Sequence, residues 1–208
     1  MIRLYDFHES GNGYKLRLLL SHLDLPYERI EMDILKGETR TSEYLALNPN
    51  GRIPLLVLED GRSLAESNAI LFYLAQDSAY WPEDSFERAQ VLQWMFFEQY
   101  SHEPYIATVR FWTFAGQLDA HAAELPERRK RGEVALDVME GHLAQNDFFA
   151  AGRYSIADIA LYAYTHVAGE GSFELTRFPA VQSWLVRVAA QPGHVRIEDE
   201  LGTLVAFS

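Results

Sequence analysis

The hydrophobic periodicity of the chain changes along its length, and this change restricts the fold more than any other feature. Apolar alternation over residues 2–5 and 27–32 predicts two strands, and a leucine stripe over residues 16–23 predicts a helix that ends before Pro26. A strand–helix–strand unit has a right-handed crossover, so we expect the two strands to be parallel.

The same region continues with a helix, two strands and a further helix. These are predicted over residues 41–47, 54–58, 62–65 and 67–76, and the turn Asn48-Pro49-Asn50-Gly51 follows the first of them. Strand patterns stop after Asp77, and the remaining helices are predicted over about 86–115, 125–145, 155–169 and 180–190. Ser155 and Asp158 form a capping box at the start of one of them. We therefore expect an α/β domain over 1–77, a linker over 78–85 and an all-α helical-bundle domain over 86–208.

Charge and composition restrict the function classes. The formal net charge of −12 argues against nucleic acid or an anionic membrane as a partner, and the run Arg128-Arg129-Lys130-Arg131 is predicted to be a solvated helix face. The chain contains no cysteine, which excludes disulfides, thiolate metal sites and a cysteine nucleophile. Its seven histidines show no metal-ligand spacing, so no metal is expected. No targeting segment or membrane span is recognisable, and a cytoplasmic location is expected.

The segment Asn48-Pro49-Asn50-Gly51-Arg52-Ile53-Pro54-Leu55 contains a proline at the start of a predicted buried strand. A proline cannot donate to a sheet ladder, so this position indicates either an ordinary edge-strand proline or a cis peptide bond after Ile53. In the second case, the backbone of Ile53 could pair with an extended peptide as an added strand. This segment alone does not decide between the two.

The segment Leu64-Ala65-Glu66-Ser67-Asn68-Ala69-Ile70 leads a predicted strand directly into a helix. A helix N-terminus with a serine suits a carboxylate, and Glu66 could supply the counter-charge for an amine. Together these groups match the free amino-acid end of a γ-glutamyl peptide. The alternative for Ser67 is a plain N-cap.

With these two segments and the capping box in this order and spacing, the chain resembles the glutathione S-transferase family over nearly its whole length. The resemblance implies a thioredoxin-like N-terminal domain, a cis-proline at Pro54, and a homodimer with a hydrophobic co-substrate pocket between the domains. It also implies that glutathione is the co-substrate and is bound by Arg52, Ile53, Pro54, Glu66 and Ser67. The expected activity is transfer of the glutathione thiolate to a hydrophobic electrophile in detoxification, or reduction of a disulfide or peroxide.

In this family, the residue that stabilises the thiolate follows the first strand. The loop Glu9-Ser10-Gly11-Asn12-Gly13 resembles the serine- or asparagine-type bacterial and fungal branch, so Ser10 is the first candidate and Asn12 the second. Tyr5 fits less well because it falls inside the strand. The alternative for Ser10 and Asn12 is ordinary turn chemistry beside two glycines.

Aromatic residues dominate the predicted helix 86–115, where they are typical of a helix core. The resemblance implies that the later half of this helix faces the co-substrate, which makes Tyr105 and Trp112, two turns apart on one face, pocket candidates. Two other functions stay open on the same scaffold: a glutathione-dependent isomerase or dehalogenase, and a non-catalytic binding or regulatory protein.

Overall fold

The computed structural model describes residues 1–207, which divide into two compact units. The first unit contains Met1–Ser78 together with the segment from Pro192 onward, and the second contains Ala79–Gln191. No helix among the described residues is both long and apolar enough to cross a membrane.

The first unit is a mixed sheet with helices. Its elements, in chain order, are β1 (Ile2–Asp6), α1 (Gly11–His22), β2 (Tyr27–Glu31), α2 (Ser42–Leu47), β3 (Leu55–Val57), β4 (Ser63–Ala65), α3 (Ser67–Leu74) and β5 (Thr203–Val205). The strand order is β4-β3-β1-β2-β5. Strands β1 and β2 are parallel, as the crossover rule predicts, and the β1–β3 and β3–β4 pairs are antiparallel.

The segment from Pro192 onward differs from the sequence expectation, which assigned it to the helical domain. Strand β5 pairs in parallel with β2, so the tail adds a fifth strand to the sheet. Tyr14 Oη donates to the Val195 carbonyl (2.7 Å), and Arg17 donates to the Ile197 carbonyl (2.8 Å). A three-residue strand that pairs with a partner about 175 residues earlier leaves no local periodicity to detect.

Aromatic rings join this tail to the core of the first unit. Phe207 packs edge-on against Tyr5 and Tyr44, with ring centroids 5.8 and 6.4 Å away. The buried residues of this core cluster are Tyr5, Ile30, Met32, Tyr44, Leu55 and Val57. Ile53 and Phe207 both pack against this cluster. The tail therefore contributes to the packing around the segment that leads into β3.

The second unit is helical. Its helices are α4 (Ser85–Phe97), α5 (Glu103–Phe114), α6 (Leu125–Leu143), α7 (Ile156–Thr165) and α8 (Pro179–Ala189). A π-helical stretch, Glu98–His102, separates α4 from α5, where the sequence predicts one continuous helix. Pro104 stands in the first turn of α5, and a proline lacks the N–H of a regular helix interior.

The predicted linker belongs to the second unit from Ala79 onward. The Tyr80 carbonyl accepts a hydrogen bond from the Ile156 N–H (3.2 Å), and the Tyr80 ring packs edge-on against Tyr154. These contacts attach the segment to the start of α7 and explain why it is not a free connection.

The predicted capping box forms at the start of α7. Ser155 Oγ accepts from the Ala157 N–H (3.3 Å), and the Asp158 carboxylate accepts from the Ser155 N–H (2.9 Å). Asp158 is fully buried and also accepts from the Trp184 indole N–H (3.0 Å) of α8. Burial raises the pKa of Asp158 to about 6, against the lowering effect of these donors.

Candidate functional site

Ser10 lies at the start of α1, directly after the loop that follows β1. Its Oγ accepts a hydrogen bond from the Gly13 N–H (3.3 Å), so Ser10 is the N-cap of this helix. Ser10 therefore has a local structural role as the cap of a helix. This role does not conflict with a binding role, because an accepting hydroxyl keeps its own proton for another partner.

Gly13 allows α1 to approach a buried carboxylate. A Cβ atom at this position would overlap the carboxylate of Asp6, the last residue of β1. Asp6 Oδ2 lies 3.1 Å from Arg17 Nε, and both side chains are fully buried. Burial raises the pKa of Asp6 to about 6, although the Arg17 guanidinium acts in the lowering direction. This buried pair joins the end of β1 to α1, the helix that begins after Ser10 and contains Asn12.

Asn12 and Ser67, which stand 55 positions apart in the sequence, lie in direct contact. Ser67 Oγ donates to Asn12 Oδ1 (3.1 Å). Lys15 Nζ, fully buried in α1, donates to Ser67 Oγ (3.3 Å) and to Asn68 Oδ1 (3.5 Å). The structure thus brings together the two segments that the sequence singled out, at the starts of α1 and α3, and it adds Lys15, which sequence reasoning missed.

Glu66 is exposed and has a positive φ of 69° with ψ of 112°. It is the N-cap of α3 without a side-chain capping bond, and Ser67 is the first residue of the helix. The alternative that Ser67 is a plain N-cap is therefore wrong. A sparsely populated backbone conformation of this kind costs about 1–3 kcal/mol, and such residues occur at functional sites as well as in turns.

The Ile53–Pro54 peptide bond is cis, as the resemblance implies. Just before it, the Arg52 carbonyl accepts hydrogen bonds from Tyr44 Oη and Asn48 Nδ2, each 2.7 Å long. The Arg52 side chain is exposed, and Ile53 is half-buried. Strand β3 pairs with β1 and β4 only from Leu55 onward, so Ile53 lies outside both of these pairings.

Strand register explains why these segments meet at one edge of the sheet. Leu55 pairs with Tyr5 on one side and with Ala65 on the other. The antiparallel pairing therefore sets the start of β3 beside the end of β1, which leads to Ser10, and beside the end of β4, which leads to Glu66. Asn12 and Ser67 complete the same edge through their hydrogen bond.

Tyr105 and Trp112 lie in α5 of the second unit and both face a guanidinium of α6. The Arg128 guanidinium carbon is 5.8 Å from the Tyr105 ring centroid and 5.7 Å from that of Trp112. Arg131 donates to Tyr105 Oη (3.1 Å), and His121 stacks on the Trp112 ring at 4.0 Å. The basic run lies at the start of α6 and is largely solvated, with Arg131 57% exposed, while Arg128 and Arg131 also lie over aromatic rings.

Metal-ligating side chains do not gather at this site. Within residues 1–207, no group of three or more histidine, cysteine, aspartate or glutamate side chains has an arrangement that could hold a metal ion.

The fold and this site define a two-part protein: a thioredoxin-like sheet with a hydroxyl, an amide and a cis-proline at one edge, and a helical unit. The family models for the glutathione S-transferase N-terminal and C-terminal domains match residues 1–76 and 90–192. These matches cover most of the chain, and the chain belongs to the glutathione S-transferase family.

Individual relatives match this chain over nearly its full length. The crystal structure of a glutathione S-transferase from Pseudomonas fluorescens is 52% identical, with a TM-score of 0.93, and the match covers 95% of this chain and 99% of that one. The disulfide-bond oxidoreductase YfcG of Escherichia coli is 31% identical over 97% of both chains. Glutathione S-transferase 1 of Schizosaccharomyces pombe is 32% identical over 91% of both.

Proposed function

We propose that the chain is a glutathione transferase that binds glutathione at the edge formed by the loop after β1, the start of β3 and the start of α3. The observation that carries this proposal is the hydrogen bond between Asn12 and Ser67, because it joins the start of α1, where the thiol is proposed to bind, to the start of α3, where the γ-glutamyl group is proposed to bind. Membership of the family supports glutathione as the co-substrate.

Ser10 is proposed to stabilise the thiolate, with Asn12 as the second donor. Ser10 Oγ accepts from Gly13, so its proton can be donated to the glutathione sulfur. Asn12 accepts from Ser67 through Oδ1, so Nδ2 is the group that it would direct at the sulfur. A hydrogen bond to a charged acceptor is worth about 1.5–3 kcal/mol, which corresponds to roughly one to two pKa units.

The remaining contacts follow from the peptide's chemistry. The γ-glutamyl carboxylate would accept from Ser67 and the N-terminal N–H groups of α3, while Glu66 would pair with the amine. The Ile53 backbone, before the cis-proline Pro54, would pair with the cysteinyl backbone as an added strand. The exposed Arg52 is proposed to contact the peptide at the same segment.

The second substrate is proposed to be a hydrophobic electrophile or a disulfide, and Tyr105 and Trp112 stay its proposed contacts. The names of the relatives support both chemistries, since one is a disulfide-bond oxidoreductase and another is a glutathione S-transferase. A role in detoxification and a cytoplasmic location are part of the same proposal.

A homodimer is also proposed, and an exposed aromatic stripe supports it. Phe86, Phe96 and Tyr100 are 70%, 67% and 83% exposed at near-helical spacing along α4 and the following π-helical stretch. Exposed apolar stripes of this kind commonly mark protein interfaces. We expect sedimentation equilibrium at micromolar concentration to give a dimer, and Phe96→Glu with Tyr100→Glu to give a folded monomer. A monomeric wild type would contradict this part of the proposal.

The function itself is tested by measuring glutathione binding and turnover in one preparation. Titration calorimetry should give saturable binding, and the complex should show thiolate ultraviolet absorbance at neutral pH. A chloronitrobenzene and a mixed glutathione disulfide, offered separately, would then distinguish transfer from disulfide reduction. Binding without thiolate absorbance or turnover would favour the non-catalytic alternative instead.

A further inference from the structure

Lys15 is a buried basic residue at the point where α1 meets the first turn of α3. Its side chain is fully buried, whereas Lys36, another lysine of the same unit, is 78% exposed. Lys15 Nζ donates to Ser67 Oγ at 3.3 Å and to Asn68 Oδ1 at 3.5 Å, so it contacts the first two residues of α3. Nothing in the sequence pattern assigns this residue a role.

The direction of the hydrogen bonds gives Lys15 a specific effect on Ser67. An ammonium group only donates, so Ser67 Oγ must accept from Lys15 and keeps its own proton for another acceptor. That acceptor is Asn12 Oδ1 in this structure. When a carboxylate binds at α3, the hydroxyl proton can turn to the carboxylate while Lys15 continues to hold the oxygen in place.

We propose that Lys15 is a specificity-determining residue that selects ligands carrying the α-carboxylate of a γ-glutamyl group, acting through Ser67. This inference rests on the proposed glutathione site. A carboxylate oxygen that accepts from Ser67 Oγ lies at most about 6 Å from Lys15 Nζ, given the 3.3 Å contact and a hydrogen bond of about 2.7 Å. Because Lys15 is shielded from solvent, its charge acts on that carboxylate with less screening than an exposed lysine would.

The test is a thermodynamic cycle between the lysine and the carboxylate. Calorimetry compares glutathione with 4-aminobutyryl-Cys-Gly, which lacks only the α-carboxylate, in the wild type and in Lys15→Met. For each protein, the preference is the dissociation constant of 4-aminobutyryl-Cys-Gly divided by that of glutathione. We expect this ratio to be about 10 to 100 times larger in the wild type than in Lys15→Met. That coupling corresponds to about 1.4–2.7 kcal/mol.

Three controls separate this role from a general structural one. Glutaryl-Cys-Gly lacks only the amine, and its loss of affinity should be the same in wild type and Lys15→Met. Lys130→Met, at an exposed position in the second unit, should behave as wild type. Lys15→Arg should retain most of the preference for the carboxylate. If Lys15→Met does not fold, Lys15→Gln replaces it, since glutamine can still donate to Ser67 without a charge.

The outcomes distinguish the two proposals. A wild type that does not bind glutathione overturns the proposed function. A wild type that binds glutathione and the decarboxylated analogue equally overturns the proposed carboxylate contact at Ser67 together with the role of Lys15. A folded Lys15 variant with undiminished preference for the carboxylate overturns the role of Lys15 alone.

Discussion

Replacing Ser10 by alanine separates two effects that the same hydroxyl has in this structure. Its oxygen accepts from the Gly13 N–H as the N-cap of α1, and its proton is proposed to go to the glutathione sulfur. Loss of the cap should lower the free energy of unfolding by about 1 kcal/mol. Loss of the donor removes about 1.5–3 kcal/mol of thiolate stabilisation, so the thiol pKa in the complex should rise by roughly one to two units.

The expected effect on rate is much smaller than the effect on pKa. Raising a thiol pKa from about 6.5 to about 8.5 reduces its ionised fraction at pH 7 roughly 25-fold. The more basic thiolate is also more nucleophilic, with a Brønsted slope of about 0.4–0.5, which returns roughly 8-fold. Turnover at pH 7 should therefore fall only about 3-fold, and glutathione affinity only about 4-fold, because the bound thiolate loses the same stabilisation.

The assay is a pH titration of the thiolate absorbance of bound glutathione, together with thermal or denaturant unfolding of each variant. Ser10→Gly is the matched control, because glycine at an N-cap costs only a few tenths of a kcal/mol while it removes the same hydroxyl. It should show the full pKa shift with little loss of stability. Ser155→Ala removes the N-cap of α7 and should lower the free energy of unfolding without shifting the thiol pKa.

Two results would refute the reasoning about Ser10. An unshifted thiol pKa in the wild-type complex would mean that no group activates the thiol. A larger shift in Asn12→Ala than in Ser10→Ala would exchange the roles proposed for the two residues.

Further predictions concern binding, packing and pH. Glu66→Ala and Ser67→Ala should each weaken glutathione binding by a few kcal/mol, since each removes a proposed charge or hydrogen-bond partner; unchanged calorimetric affinity in both would remove the assignment. Phe207→Ala should lower the free energy of unfolding by about 1–3 kcal/mol, because a half-buried ring that packs on Tyr44 is lost; an unchanged denaturation midpoint would contradict it. Burial raises the pKa of Asp158 from 3.8 to about 6, so this group stabilises the fold most below pH 4 and loses that contribution as pH rises through 6. The destabilisation caused by Asp158→Asn should accordingly be larger at pH 4 than at pH 7, and equal values at the two pH values would count against a raised pKa.

Short-range signals allowed much of the site to be predicted from the sequence. The proline at the start of β3 and the Glu66-Ser67 junction were visible because prolines and helix starts restrict the backbone locally. The parallel pairing of β1 and β2 followed from the crossover rule and is confirmed. The contact between Asn12 and Ser67 could not be predicted, because it depends on how α1 packs against α3.

Lys15 was missed although the sequence carries a physical signal for its burial. In an amphipathic helix, a lysine is expected on the solvated face. In α1, however, every residue from Gly13 to Leu20 is buried, and the sequence shows apolar residues around the whole helix in that stretch. A helix that is apolar on all sides is buried, so the apolar pattern of α1 requires its two basic residues, Lys15 and Arg17, to be buried as well.

The small gain from thiol ionisation leaves the positioning of the two reactants as the main source of catalysis. If ionisation accounts for only about a 3-fold increase in rate, most of the acceleration must come from holding the two reactants in a reactive geometry. The first unit has contacts that fix the segments of the proposed glutathione site: the buried Asp6–Arg17 pair between β1 and α1, the hydrogen bonds of Lys15 at Ser67, and the Tyr44 hydroxyl on the Arg52 carbonyl. None of these groups is proposed to touch the sulfur. Substitutions among them should therefore change glutathione affinity and turnover together while the thiol pKa stays near its wild-type value, which is the opposite of the pattern expected for Ser10.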